Sequence, residues 1–247
     1  MKNLLIPLIL VVVNYSSSAG EIFKDKATPI TSVPYTISSP GTYYLANDIF
    51  SSNPNGKIVI VANNVVLDLA GHTLHVATTD ECILIEGTGK PTDFFPRPGG
   101  SLNVTVQNGT LVNTIAGCIY MAGNSDVIDH VTMLAAGQCA LIDELGFFDR
   151  ISNCIISSGN PSSIRGPSWS HGLSFSTVFL IASGVLFENN MVTSSYSHGD
   201  SLESASHPDG GDISNYGNVI RNNVIWGSII LDPIDISSGN LLPPAKP

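Results

Sequence analysis

A six-residue pattern recurs along this chain: an apolar residue, a polar one, Asn, any residue, a small or apolar residue, and an apolar one. It reads Val106-Gln107-Asn108-Gly109-Thr110-Leu111, Ile151-Ser152-Asn153-Cys154-Ile155-Ile156, Phe187-Glu188-Asn189-Asn190-Met191-Val192 and Ile220-Arg221-Asn222-Asn223-Val224-Ile225. Ile128-Asp129-His130-Val131-Thr132-Met133 keeps the pattern with His in the Asn place, so the marked residues fall at 108, 130, 153, 189 and 222, in steps of 22, 23, 36 and 33. Two steps match a period of about 22 residues and two match that period plus an insertion, the signature of a solenoid with loops on some coils.

Leucine-rich repeats have a similar period, but they need a helix or a helical turn in each unit. Here the segments around each Asn are short β-branched and aromatic alternations such as Asn103-Val104-Thr105-Val106, bounded by Gly, Ser and Asn. Such segments form strands and turns. Each coil then offers its strand edges to the next, with equivalent side chains stacked at about 4.8 Å. An Asn repeated at one turn could pass an amide hydrogen bond along such a stack.

Two further stretches carry a resemblance: Val33-Pro34-Tyr35-Thr36-Ile37 with Pro40-Gly41-Thr42-Tyr43-Tyr44-Leu45, and Asn64-Val65-Val66-Leu67-Asp68-Leu69-Ala70-Gly71-His72-Thr73-Leu74. With the Asn repeat, they resemble secreted bacterial members of the right-handed parallel β-helix, or pectin-lyase-like, superfamily. The resemblance implies an all-β, single-stranded, right-handed parallel β-helix solenoid with three short strands per coil, about six to seven coils and an asparagine ladder. The ladder residues would be the repeated Asn, with Asn108 buried among them and His130 as a hydrogen-bonding stand-in.

Lys2, the apolar run from Leu4 to Val13, and Ser17-Ser18-Ala19 have the three regions of a secretory signal peptide. The organisation expected is a signal peptide at 1–19, an N-terminal strand and cap region at 20–55, the solenoid at 56–236 and a tail at 237–247. The apolar run is too short to span a bilayer, so the expected location is secreted, cell-surface or periplasmic. The net charge of −10 would become −11 on loss of Lys2. Such an acidic surface repels nucleic acid. It also repels anionic glycans unless Ca²⁺ or a basic patch bridges the charges. After Ser237 no amphipathic helix closes the solenoid, so self-association through an uncapped end is also expected.

Cys82-Ile83-Leu84-Ile85, Cys118-Ile119-Tyr120-Met121 and Cys139-Ala140-Leu141-Ile142 each precede an Asn-bearing segment. They predict one inward column of Cys82, Cys118 and Cys139 packed as small hydrophobes, with disulfide or metal pairing as the alternative. Cys154 lies at a different position.

If these are the first strands of their coils, residues 87–101 follow a first strand, while 157–177 and 194–217 follow third strands and lead into the next first strand. All three would border one sheet, as the walls of a groove. The third insertion is the richest in chemistry. Ser197-His198-Gly199-Asp200-Ser201 and Ser206-His207-Pro208-Asp209-Gly210-Gly211-Asp212 bring two His and three Asp together without Lys or Arg. Such groups can hold Ca²⁺ or act as general acid and base; they also suit a solvated loop whose Asp-Gly pairs make turns. His207-Pro208-Asp209-Gly210 resembles the His-x-Asp-Gly element of β-helix lyases, in which the Asp lies on the groove strand.

The expected catalytic residues are therefore His207, Asp209 and Asp212, with Asp200, Asp209 and Asp212 as Ca²⁺ ligands. His171 and His198 would contact substrate beside Trp169, which either stacks on a sugar ring or pins its own loop. The expected function is an exported β-helix binding or acting on polysaccharide, as a lyase or glycoside hydrolase. The alternative is a non-enzymatic adhesive or structural module.

Overall fold

The computed structural model describes residues 26–79, 81–86, 103–136, 139–159, 177–194, 202–204, 217–226, 229–231 and 233–243. Within them the chain consists of strands and turns in two parallel sheets, one of fourteen strands and one of eight. The small sheet stacks Tyr35–Ile37, Ile58–Ile60, Ile83–Ile85, Ile119–Met121, Leu141–Phe147, Val178–Ser183, Leu202–Ser204 and Ile229–Ile230 in that order. From each small-sheet strand the chain crosses into the large sheet and later returns. After Val178–Ser183, for example, come Leu186–Glu188 and Met191–Ser194. Elsewhere Val104–Asn113 and Val127–Ala135 run unbroken through the same two positions. The result is a parallel β solenoid.

Alternation of side chains across each strand builds the core. Ile58, Ile83, Ile119, Leu141, Val178 and Leu202 are in register on the small sheet, and each is fully buried. Burying a side chain of this size contributes about 1.5 to 3 kcal/mol. Stacking whole columns of them is how a chain without a helix among the described residues obtains a continuous interior.

The repeated Asn does a different job from the one expected of it. Asn108, Asn153, Asn189 and Asn222 have φ between 56° and 59°, and His130 has φ 54°. All five are exposed. They occupy the left-handed turn between adjacent large-sheet segments, a conformation that Asn tolerates better than most residues. The turn points their side chains outward, so Asn108 is not a buried ladder residue. The next residue faces in. Asn190 Oδ1 accepts the Cys154 backbone N–H at 2.8 Å, Asn223 Oδ1 accepts that of Asn190 at 2.8 Å, and Asn240 Oδ1 accepts that of Asn223 at 2.9 Å.

A second relay lies five residues earlier. Asp126 Oδ1 accepts the Val104 N–H at 2.8 Å and Asp149 Oδ1 accepts the Asp126 N–H at 2.7 Å. Farther along, Asn218 Oδ1 accepts the Val185 N–H at 2.9 Å and Asp235 Oδ1 accepts the Asn218 N–H at 2.8 Å. The residue before each of the first four inward positions, Asn103, Ser125, Phe148 or Gly184, again has positive φ. Two left-handed residues five apart thus bracket a short segment of the large sheet, and an inward position follows each of them.

The cysteine column is also shorter than expected. Ile119 pairs with Leu141, which aligns Cys118 with Ala140 and leaves Cys139 one residue out of register. Cys82, Cys118 and Cys154 are buried thiols, whereas Cys139 is partly exposed. In the observed register Leu141 and Asp143 face inward and Ile142 faces outward.

Candidate functional site

The outer face of the small sheet is formed by the residues that alternation leaves outside. Register aligns Thr36, Val59, Leu84, Tyr120 and Ile142 in one outward column, and the backbone register continues through positions 179, 203 and 230. Val59, Leu84, Tyr120 and Ile142 are each half-buried. The column puts one aromatic ring between two aliphatic side chains, at about the strand spacing of 4.8 Å. A flat apolar surface of this kind suits the face of a sugar ring, and the Tyr hydroxyl adds a polar handle.

The long connections all attach to this sheet. Residues 87–102 leave strand Ile83–Ile85, residues 160–176 lead into the segment that opens Val178–Ser183, and residues 195–201 and 205–216 flank Leu202–Ser204. The opposite turns, between large-sheet segments, are tight: only Asn189 and Asn190 separate Leu186–Glu188 from Met191–Ser194.

The third expected insertion is therefore not one loop. Leu202–Ser204 lies in its middle and pairs with both Val178–Ser183 and Ile229–Ile230. His198 and Asp200 precede this strand in the chain, whereas His207, Asp209 and Asp212 follow it. Periodicity missed the strand because three residues, Leu202, Glu203 and Ser204, are too few to show alternation. His198, Asp200, His207, Asp209, Asp212, Trp169 and His171 all lie outside the described residues, as do the residues of the expected signal peptide. Among the described residues no helix is long and apolar enough to cross a membrane.

A polar ridge follows the left-handed turns on the large sheet. Asp129 Oδ1 accepts hydrogen bonds from Ser152 Oγ and Asn153 Nδ2, both at 2.8 Å, and its Oδ2 lies 2.7 Å from His130 Nδ1. Partial burial works against the Asp129 carboxylate, but hydrogen bonds from Asn153, His130 and Ser152 outweigh it and hold the group below its ordinary range. Farther along, Arg221 donates to Glu188 Oε2 through Nε at 2.9 Å and Nη2 at 2.7 Å, while Arg150 reaches Oε1 at 3.1 Å. This ridge satisfies its own charges. Among the described residues no group of three or more His, Cys, Asp or Glu is arranged to hold a metal ion.

The least expected chemistry is inside the solenoid. Asp126, Asp143 and Asp149 are buried with at most 1% of their surface exposed. Asp143 sits in the core column between Met121 and Leu180. As carboxylates, both its oxygens lack a donor, as do Asp126 Oδ2, Asp149 Oδ2 and Asn124 Oδ1; once one of them carries a proton, the Asp143 and Asp149 carboxyls can hydrogen-bond to each other. Burial, then the neighbouring Asp149, pushes Asp126 up to about 8, against the pull of the Val104 N–H. Burial, then Asp126, does the same for Asp143, also to about 8. Burial, then Asp143, takes Asp149 to about 10. Neither the Asn repeat nor the cysteine alignment singles out any of the three.

No protein-family pattern, curated protein or solved structure matches this chain.

Proposed function

We propose that this chain is an exported right-handed parallel β-helix of the pectin-lyase-like type that binds polysaccharide along the outer face of its small sheet. The observation that carries this reading is the position of Tyr120. It is half-buried between Leu84 and Ile142, on a sheet whose strands receive every long connection of the solenoid. An extended glycan laid across the strands would meet a new side chain of the outward column at each rung, with the connecting segments as walls.

If the protein cleaves the glycan, the proposed acid-base groups are His207, Asp209 and Asp212, with His198, His171 and Trp169 contacting sugar. Asp200, Asp209 and Asp212 would hold Ca²⁺ to offset the charge of an acidic glycan. Glu203 is in backbone register with Phe179 on the same sheet. A lyase would draw a proton from beside a uronate carboxylate, and a hydrolase would use paired carboxylates.

The apolar character of Val59, Leu84, Tyr120 and Ile142 favours a second reading, a module that holds glycan or another surface without cleaving it. Exposed Ile234, Ile236, Leu241 and Leu242 near the last described strand support self-association in the same reading.

The deciding experiment exposes the protein to neutral and acidic polysaccharides, with Ca²⁺ or with chelator, and follows unsaturated products and new reducing ends. Cleavage lost in folded His207→Ala and Asp209→Ala variants supports the enzyme. Retention of glycan without cleavage supports the binding module, and neither cleavage nor retention of any polymer overturns the polysaccharide reading.

A further inference from the structure

The core at Asp143 breaks the rule that shapes the rest of the small sheet. From Ile60 to Leu180 this inward column, through Ile85 and Met121, is apolar except at Asp143. A carboxylate there loses its hydration and meets only the neighbouring Asp149 carboxyl, a cost that an ionised group avoids by taking up a proton. Local geometry makes the cluster tight. A β-carbon added at Gly146 would overlap Asp149 Oδ2 and crowd Asp143 Oδ1, so both oxygens converge on the backbone of a glycine. The pairing of Leu141–Phe147 with Val178–Ser183 is irregular at the same point, between Glu144 and Phe147.

Among the described residues the surroundings supply no compensating charge. From the preceding turn, Met121 and Val104 are apolar, and Asn124 brings only its unpartnered buried amide oxygen. From the following turn, Leu180 and Val185 are apolar. Arg150, adjacent to Asp149 in the chain, is half-exposed and pairs with Glu188. No Lys, Arg or His among the described residues is paired with the three carboxyls, and no metal-holding arrangement includes them. Among the described residues, protons are the remaining means of neutralising them.

We propose that Asp126, Asp143 and Asp149 form a proton-held lock inside the solenoid: the turns around Gly146 close only over uncharged carboxyls, and loss of their protons opens strand Leu141–Phe147 locally. The direction follows from linkage. All three carboxyls bind protons more tightly folded than unfolded, so their contribution is complete below the ordinary carboxylate range and is lost as pH rises toward about 8 for Asp126 and Asp143 and about 10 for Asp149. Each proton retained by the closed form and released on opening lowers the closing constant about tenfold per pH unit. The device favours a closed solenoid in acidic surroundings. It is independent of any ligand on the outer face.

Amide hydrogen exchange on the whole protein tests this, with rates corrected for intrinsic base catalysis. Between about pH 6 and about pH 9, protection of Leu141–Phe147 should fall by at least about tenfold, while Ile83–Ile85 changes little. Asp143→Asn, of the same shape without the charge, should flatten that dependence. Equal pH dependence in the wild type and a folded Asp143→Asn, or no selective loss in Leu141–Phe147, overturns the lock. Should the variant not fold, the wild type decides through its infrared spectrum at neutral pH: a protonated-carboxyl band that disappears on alkaline opening supports the lock, and its absence overturns it. Ca²⁺ added against chelator closes the remaining route. Protection restored by Ca²⁺ alone, with ionised carboxylates, would make the cluster a cation site and sink the proposal.

Discussion

Asn223 serves two rungs at once: its Oδ1 accepts the backbone N–H of Asn190 at 2.8 Å, while its Nδ2 donates to the Phe187 carbonyl at 3.1 Å. Both backbone groups would otherwise be buried without partners, because Asn223 is fully inside the solenoid. Asn222, its neighbour, is exposed at φ 56° and supplies only the turn. Asn223→Ala should therefore cost about 2 to 3 kcal/mol by orphaning buried groups, and Asn222→Ala about 1 kcal/mol from left-handed strain. Asn222→Gly should be close to neutral. Urea midpoints of the three variants check the order, and equal losses at 222 and 223 would refute the division of labour.

Two glycines separate crowding from backbone strain. A β-carbon at Gly109 would overlap the Leu69 side chain and the His72 carbonyl. At Gly71 nothing lies within 4 Å, but φ is +79°. Gly109→Ala should lose about 2 to 3 kcal/mol through forced movement of the neighbouring turn, and Gly71→Ala about 1 kcal/mol. Thermal or urea unfolding distinguishes the two.

Asp129 predicts a pH dependence opposite to that of the buried carboxyls. Its hydrogen bonds hold its carboxylate below the ordinary range, so it stabilises the fold above the unfolded value of about 3.9 and loses that contribution as pH falls through the folded one. Asp129→Asn should lower the urea midpoint at neutral pH, with the difference from wild type vanishing in strong acid. A constant difference across the range would show that shape, not charge, matters at this position.

The cysteines give a direct check on register. Burial raises Cys82 well above the ordinary thiol range and, as the largest influence, pushes Cys154 up to about 12. Cys118 is fully buried, whereas Cys139 is partly exposed. A thiol reagent applied to native protein should modify Cys139 first, read by mass spectrometry of peptides. Equal protection of Cys139 and Cys118 would restore the three-cysteine column.

For the proposed glycan surface on the outer face, Tyr120→Ala should weaken retention of any polysaccharide found to bind by about tenfold, the scale of one aromatic stacking contact. The fold should survive, since the ring is only half-buried. Unchanged retention would move the binding surface off this sheet.

The repeat of Asn108, Asn153, Asn189 and Asn222 was enough to read an all-strand solenoid, because left-handed turns at a fixed period leave few other architectures. It was misleading about the interior. The most regular residue is the one the backbone needs at the turn, whereas the inward partner varies among Val131, Cys154, Asn190 and Asn223 and hides its role. Register in the small sheet was harder still: Cys139 and Ala140 are both small and either can fill the column. The residues of Ser197–Asp212 were conspicuous by composition, but no periodicity assigns side chains in such segments a direction.

The five-residue interval between paired left-handed turns has a consequence for how this molecule can vary. Adding or losing one residue inside it would move an inward amide or carboxyl out of its column and reverse the side chains beyond it. Descendants of the chain can change length freely only where the small sheet hands over to its neighbours, or by gaining or losing whole rungs. One side of the solenoid is thus fixed in length, and the other can take insertions.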